Sequence, residues 1–329
     1  MSIQQAFFDL LRGALPSNRP NLAQEVAAIL HLSETSAYRR ISGHTQLSVD
    51  EMAKLAEHFG VHPEYLFDRH AARDVRFEWQ SDETKETSYK TFLSWLERHL
   101  ASIKTEHCTA IFHAKDFPVF FNFIFPEIAA FKSYFWNKTF FGLSAYKARK
   151  FTTSQLTEDT RKRGFLVFKS YAAIDSQELW NDDILNSVLQ QIKYCHEAGY
   201  MASEDETGAL LTYLSKLVNH FQVMAEHGCK FLPAEKPNGG KLELYHNKVI
   251  LGDNTLLLEE SERRTVYLSQ NIVETLITSD PAFYQNAFTI KQNLIKHSML
   301  LSNSSEQERS RYFDRLRARI ATAQLELRI

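Results

Sequence analysis

The sequence predicts an N-terminal all-α bundle joined to a larger, helix-rich α+β domain with a small antiparallel sheet. Three observations lead there. Short amphipathic segments bounded by helix caps fill residues 1–70. The span 71–88 loses that apolar rhythm in the charged stretch ARDVRFEWQSDETKETS, and is expected to be a linker. Residues 89–329 then alternate helical segments with strand-length apolar runs, the clearest of them between Lys241 and Leu268.

The first helix is expected where Ile3, Phe7, Leu10 and Leu11 recur at helical spacing, with Gly13 and Pro16 ending it. Leu22, Val26, Ile29 and Leu30 mark the second. Ser33 is a suitable N-cap for a third, in which Ala37 and Ile41 share one face before Gly43 stops it. Ser48 and Glu51 have the spacing of a capping box, because each side chain can satisfy the other's backbone N–H. Met52, Leu55, Ala56 and Phe59 follow until Gly60, and a short turn over His62–Phe67 closes the unit.

In the large domain a helix is expected over Tyr89, Phe92, Leu96, Leu100 and Ile103. An aromatic tract runs from Phe117 to Tyr146, and the alternating stretch Gly164–Tyr171 predicts a strand. Two helices follow, one around Glu178–His196 and one opened by a second capping-box spacing at Ser203 and Glu206. The turn Pro237-Asn-Gly-Gly240 introduces the β region, and the chain turns helical again from about Ala287. Its last helix carries Tyr312, Leu316 and Ile320.

Bulk properties exclude several function classes. With 329 residues, 44% of them hydrophobic, the chain has material for two or three packed cores. A net charge of −2 provides no whole-molecule field toward nucleic acid or anionic lipid, so such binding must be local. Cys108, Cys195 and Cys229 lie far apart without a CxxC pair, which argues against a disulfide framework or a zinc site and fits a reducing compartment. The N-terminus lacks the basic region of a signal peptide, and no window reaches the roughly 18–20 apolar residues of a membrane helix. A cytoplasmic location without membrane attachment is the expectation.

Residues 22–67, LAQEVAAILHLSETSAYRRISGHTQLSVDEMAKLAEHFGVHPEYLF, combine the Val26-Ala27 step, Leu30, a short turn to Ser33, a helix stopped by Gly43 and a capped helix ending at Gly60-Val61. This segment resembles the phage-repressor-like, or XRE-type, helix-turn-helix family, in its variant with an AYRR-type recognition helix found in bacterial regulators. Three positions depart from the family pattern. His31 replaces the turn glycine, Ile41 replaces a glutamate, and Ala23 replaces a glutamine that often contacts phosphate. Histidine is among the residues that enter the left-handed region more readily than most.

With Ala37 and Ile41 facing the core, Glu34, Thr35, Tyr38 and Arg39 fall on or near the outer face of the third helix. The resemblance implies that this face enters the major groove of double-stranded DNA, with Glu34, Thr35 and Arg39 at base-reading positions. The chemistry suits them: an arginine fork donates to guanine O6 and N7 together, and glutamate accepts from cytosine N4. Ser33, Ser36, Ser42 and His44 are candidate phosphate contacts, and Arg40 is within reach of a phosphate on the same reading.

Residues 1–70 hold six lysines and arginines against eight aspartates and glutamates. Because phosphate neutralisation supplies most non-specific affinity, so weakly charged a reader needs two copies. A homodimer is therefore expected, with the large domain supplying the pairing and a sensor site for a small-molecule or protein effector. Two alternatives remain. The same helical fold serves a non-DNA scaffold or antitoxin-like partner binder, or the large domain is an unfamiliar enzyme.

The enzyme alternative meets specific absences: no HExxH, GxSxG, GxxxxGK[ST] or GxGxxG occurs. His58 and His62 are separated by Gly60, and Cys195-His196 has no evident third partner. No catalytic residue, metal ligand or cofactor is expected. The aromatic tract suits either a pocket for a flat or apolar ligand or, more commonly, a core or dimer face. The basic runs Lys147–Lys150 and Arg161–Arg163 read as solvated surface, and Glu204–Glu206 as a helix first turn.

Overall fold

The computed structural model describes residues 2–14, 21–61, 75–80, 88–103, 105, 108–248, 252, 254–261, 263–270, 274–303 and 306–328. The chain divides into two compact units, Met1–Val75 and Arg76–Ile329. The expected turn over His62–Phe67 lies outside the described residues.

Among the described residues the first unit holds four helices, α1 (Ile3–Ala14), α2 (Leu22–Leu30), α3 (Glu34–Ile41) and α4 (Val49–Phe59). Its core joins Phe7, Phe8 and Leu11 of α1 to Leu22, Val26 and Ala27 of α2, Ala37 of α3, and Leu55 and Ala56 of α4. One face of α1 differs from expectation. Phe8 is buried, whereas Ile3 and Leu10 are exposed.

The caps explain the boundaries. Asn21 accepts from the Ala23 amide and Ser33 from the Ser36 amide. Ser48 and Glu51 complete the capping box, with bonds of 2.9 and 3.1 Å. His31 ends α2 in the left-handed region at φ 54°. Its amide reaches the carbonyls of Ala27 and Ala28, so the turn is made despite the side chain.

The second unit is built on an eight-stranded sheet: β1 (Glu78–Gln80), β2 (Thr109–His113), β3 (Asp175–Trp180), β4 (Leu242–His246), β5 (Thr255–Glu259), β6 (Arg264–Ser269), β7 (Thr275–Thr278) and β8 (Met299–Leu300). Their order is β1-β7-β6-β5-β2-β3-β4-β8. β2, β3 and β4 run parallel, and the other neighbours are antiparallel. The expected small antiparallel sheet is thus corrected to a large mixed one. Of its parallel centre, β4 lies within the expected β region, whereas β2 and β3 are buried on both faces and lack the alternation that marks a half-exposed strand. Within the span expected as a linker, β1 pairs with β7.

The helices of this unit are α5 (Tyr89–Ser102), α6 (Pro126–Thr139), α7 (Glu158–Ala172), α8 (Asn186–Glu197), α9 (Glu204–His227), α10 (Pro281–Lys296) and α11 (Glu306–Leu327). Phe112 and Leu244 face a core shared with α5–α9 and α11, while Ile111 and Leu179 face one shared with α10. Two sequence assignments change. Gly164–Tyr171 is helical within α7, because Gly164, Val167, Phe168 and Tyr171 are buried at helical spacing. The exposed Phe165 and Leu166 only imitate a strand's alternation. Glu178, expected in a helix, lies buried in β3.

Gly164 is also required sterically, since a Cβ there would stand 2.4 Å from the Phe123 ring. The second capping box is not made. Ser203 forms no side-chain cap bond, and Glu206 instead accepts from the Thr153 amide at 2.8 Å. The aromatic tract is largely interior: Phe117, Phe120, Phe121, Phe131, Tyr134 and Trp136 are all buried. The last helix packs within its own chain, with Tyr312, Phe313, Leu316 and Ile320 turned inward and α11 lying against α9. No helix among the described residues is long and apolar enough to cross a membrane.

Candidate nucleic-acid interface

The interface is built on α3, a helix of eight residues held by one buried side chain. Ala37 is fully buried against the core of the first unit, and Ile41 packs beside it half-buried. With Ala37 and Ile41, four apart, turned to the core, Thr35 and Arg39, each two positions from Ala37, fall on the opposite side of the helix. Glu34, Thr35, Tyr38 and Arg39 are all exposed, Tyr38 to 65%. Arg39 forms no ion pair among the described residues, so its fork is available to an outside acceptor. An aromatic ring and a free guanidinium, adjacent on an exposed helix, are surface chemistry that the fold itself does not use.

The flanking hydroxyls are partly occupied. Ser33 Oγ accepts the Ser36 amide and lies 3.0 Å from Ser36 Oγ, which closes the N-terminal end of α3. Past its C-terminal end, Ser42 Oγ lies 2.8 Å from His44 Nδ1 and 3.2 Å from the Arg39 carbonyl. His44 is exposed and Ser42 half-buried. The two ends are therefore polar rims on either side of the Glu34–Arg39 face.

Arg40 is placed differently from its neighbour. Its Nε donates to both Glu51 carboxylate oxygens at 3.1 and 3.2 Å, and its terminal nitrogen lies 2.8 Å from Oε1. The two side chains are only 17% and 22% exposed. The fork therefore ties α3 to α4 rather than standing free as the phosphate contact expected of it. Glu51 at once caps α4 and anchors α3, and Arg40 is the first cause holding its carboxyl below the usual carboxylate range.

Sequence reasoning missed Gln4. From α1 its Nε2 donates to the carbonyls of Arg40 at 2.7 Å and Thr45 at 2.8 Å, and its Oε1 accepts the Leu47 amide at 3.0 Å. One amide thus satisfies three backbone groups where α3 ends and the chain turns toward α4. Gly43 makes that turn at φ 81°. One glutamine among the polar residues of an amphipathic helix announces nothing of this in sequence. Ala23, at the family's glutamine position, is buried and has no polar group to offer.

Residues 21–66 match the family model described as Helix-turn-helix. The match covers α2, α3 and α4 and leaves the second unit unassigned. No curated protein and no solved structure matches the chain.

Proposed function

We propose that the protein is a sequence-specific transcriptional regulator that binds double-stranded DNA as a homodimer in the bacterial cytoplasm, without catalytic activity of its own. The observation that carries this reading is the α3 face. Glu34, Thr35, Tyr38 and Arg39 point outward from a helix anchored by Ala37, inside a segment that matches the helix-turn-helix family. In such domains the second helix of the motif lies in the major groove and its outward residues meet base edges.

Arg39 is assigned to a guanine, where its fork pairs with O6 and N7, and Glu34 to a cytosine amino group. Thr35 and Tyr38 supply further groove contacts. Ser33, Ser36, Ser42 and His44 set register on phosphates at the two ends of α3. Arg40 acts through position: held by Glu51, it fixes the angle at which α3 leaves the bundle. The charge of residues 1–70 is too nearly balanced to hold DNA by phosphate neutralisation alone. Two reading heads about 34 Å apart, one helical turn of DNA, meet that need. The second unit provides the pairing and the input that sets its availability.

The test is selection of fragmented genomic DNA by the full-length protein, with the Arg39→Ala and Arg40→Ala proteins alongside. The wild type enriches a short two-fold-symmetric site. Arg39→Ala lowers affinity for that site by roughly 1–3 kcal/mol and relaxes one base position in each half. Equal, sequence-independent losses in both variants would remove Arg39 from base reading. Absence of any enrichment at moderate salt would favour a protein partner for the same helical face.

A further inference from the structure

Two adjoining cavities lie inside the second unit. One, of about 230 Å³, has the polar groups of Lys132, Asn122, Trp136, Ser187 and Gln191 in its wall. The other, of about 120 Å³, is walled by apolar side chains, among them Phe92, Trp95, Phe120, Leu256 and Tyr267. Val119, Asn254 and Ser269 line both.

The polar chamber holds more hydrogen-bonding capacity than the protein uses. Lys132 is 7% exposed, and its ammonium donates to Gln191 Oε1 at 2.7 Å. That partner is a neutral amide, although a buried charge is ordinarily matched by an opposite one. An ammonium carries three protons, so two remain to be accepted. Trp136 Nε1 and Asn122 Oδ1, on side chains 3% and 4% exposed, have no hydrogen-bond partner among the described residues. Ser187 Oγ accepts from Gln191 Nε2 at 3.2 Å and keeps its own proton to give.

Each unmet buried group costs about 1–3 kcal/mol, and here several converge on one space. The surplus is on the donor side. Among the described residues, Lys132, Trp136 and Ser187 hold unused protons in its wall against the open acceptor Asn122 Oδ1. Burial brings Lys132 down to about 8, opposed by Asp116, which leaves it cationic at neutral pH.

Water alone satisfies such donors but gains nothing from the second chamber. We propose that the second unit binds a small carboxylic acid with an apolar tail, the carboxylate against Lys132 and Trp136 and the tail among the side chains between α5 and the sheet. The Gln191 amide is already held between Lys132 and Ser187, so the head site is preformed. The acid's two oxygens take the ammonium and indole protons. Its apolar part replaces water against Phe92, Phe120 and Leu256. The regulatory meaning of this site rests on the regulator reading, whereas its occupancy does not.

Calorimetry on the full-length protein without DNA separates the two readings, with octanoate and 1-octanol as probes. Octanoate binds once per chain and at least tenfold more tightly than the alcohol. Lys132→Met reduces octanoate to the alcohol's affinity. Trp136→Phe, which keeps an aromatic ring and removes the indole N–H, weakens octanoate about threefold or more and leaves the alcohol unchanged. That second variant stands in if Lys132→Met does not fold. Val119→Trp, at the junction, weakens both probes. No saturable octanoate binding, equal affinity for acid and alcohol, or an unaltered Trp136→Phe protein would each overturn the proposal, whatever the DNA selection returns.

Discussion

The two units keep their charged groups in opposite places. In the first, the Glu34–Arg39 face points to solvent, and the deepest ion pair, Arg40 with Glu51, stays partly exposed. In the second, Glu178 is wholly buried beside Tyr171, Ser176 and Trp180, and the Lys230 ammonium is buried against Ser176 and the Ile174 carbonyl. Burial raises the Glu178 carboxyl and lowers Lys230 to about 8. A small bundle cannot desolvate charge, so what it carries is displayed. A large sheet domain can, and does so where the surrounding groups donate to every oxygen.

The largest test of this contrast is a cavity in the larger core. Phe121 is fully buried, with the rings of Phe168, Tyr171, Trp180 and Phe221 around it. Phe121→Ala is expected to cost about 3–5 kcal/mol. All four tryptophans, Trp79, Trp95, Trp136 and Trp180, belong to the second unit, so their fluorescence in a denaturant titration reads that unit alone. A loss below about 1 kcal/mol would mean that the aromatic cluster closes over the gap and is not the rigid core described.

Gln4→Ala tests the other side. Removing three hydrogen bonds from the end of α3, each with a net value near 1 kcal/mol, should cost the first unit roughly 2–3 kcal/mol. The tryptophan transition should stay in place while the early part of the far-ultraviolet dichroism transition moves. If both move together, the two units unfold as one and the contrast between them fails.

Arg40→Ala has a smaller effect, about 1 kcal/mol at neutral pH, as befits a bidentate pair that still reaches solvent. Its signature is the pH dependence. Glu51 is held below its unfolded value, so the bridge's contribution is present above an unfolded carboxylate pKa near 4.3 and is lost as pH falls through the lower folded value. The gap between wild type and Arg40→Ala should therefore close between about pH 4.3 and the acid limit. A gap independent of pH would assign the loss to packing of the arginine stem rather than to charge.

The same contrast governs what was legible in the sequence. α2, α3 and α4 announce themselves through Ser33, Gly43, the Ser48–Glu51 box and Gly60, signals confined to a few neighbouring residues. The outward face of α3 follows from Ala37 alone. What stayed hidden joins distant positions. Gln4 bonds a carbonyl 36 residues away, and Tyr312 donates to the Asn181 carbonyl across 131 residues. β2 and β3 pair in parallel across two intervening α-helices, and β3 reads as part of a helix because a doubly buried strand has no alternation to read. The pair Arg39-Arg40 shows both cases in adjacent letters. Helical geometry frees the first, and only an acid 11 residues on decides the second.

The smallest effect concerns the turn that His31 makes between α2 and α3. His31 holds φ 54° and ψ 47°, a conformation that costs an ordinary L-residue about 1–2 kcal/mol and glycine almost nothing. Against that, glycine loses more backbone entropy on folding. The two terms nearly offset, and His31→Gly should stabilise the first unit by about 0.5 kcal/mol, visible as a small rise in the early dichroism transition. Because His31 is exposed and lies before Ser33, the substitution leaves the Glu34–Arg39 face intact and DNA selection unchanged. Destabilisation instead would mean that the imidazole contributes to the turn beyond its backbone. That result would make His31 a position the protein uses, rather than one it tolerates.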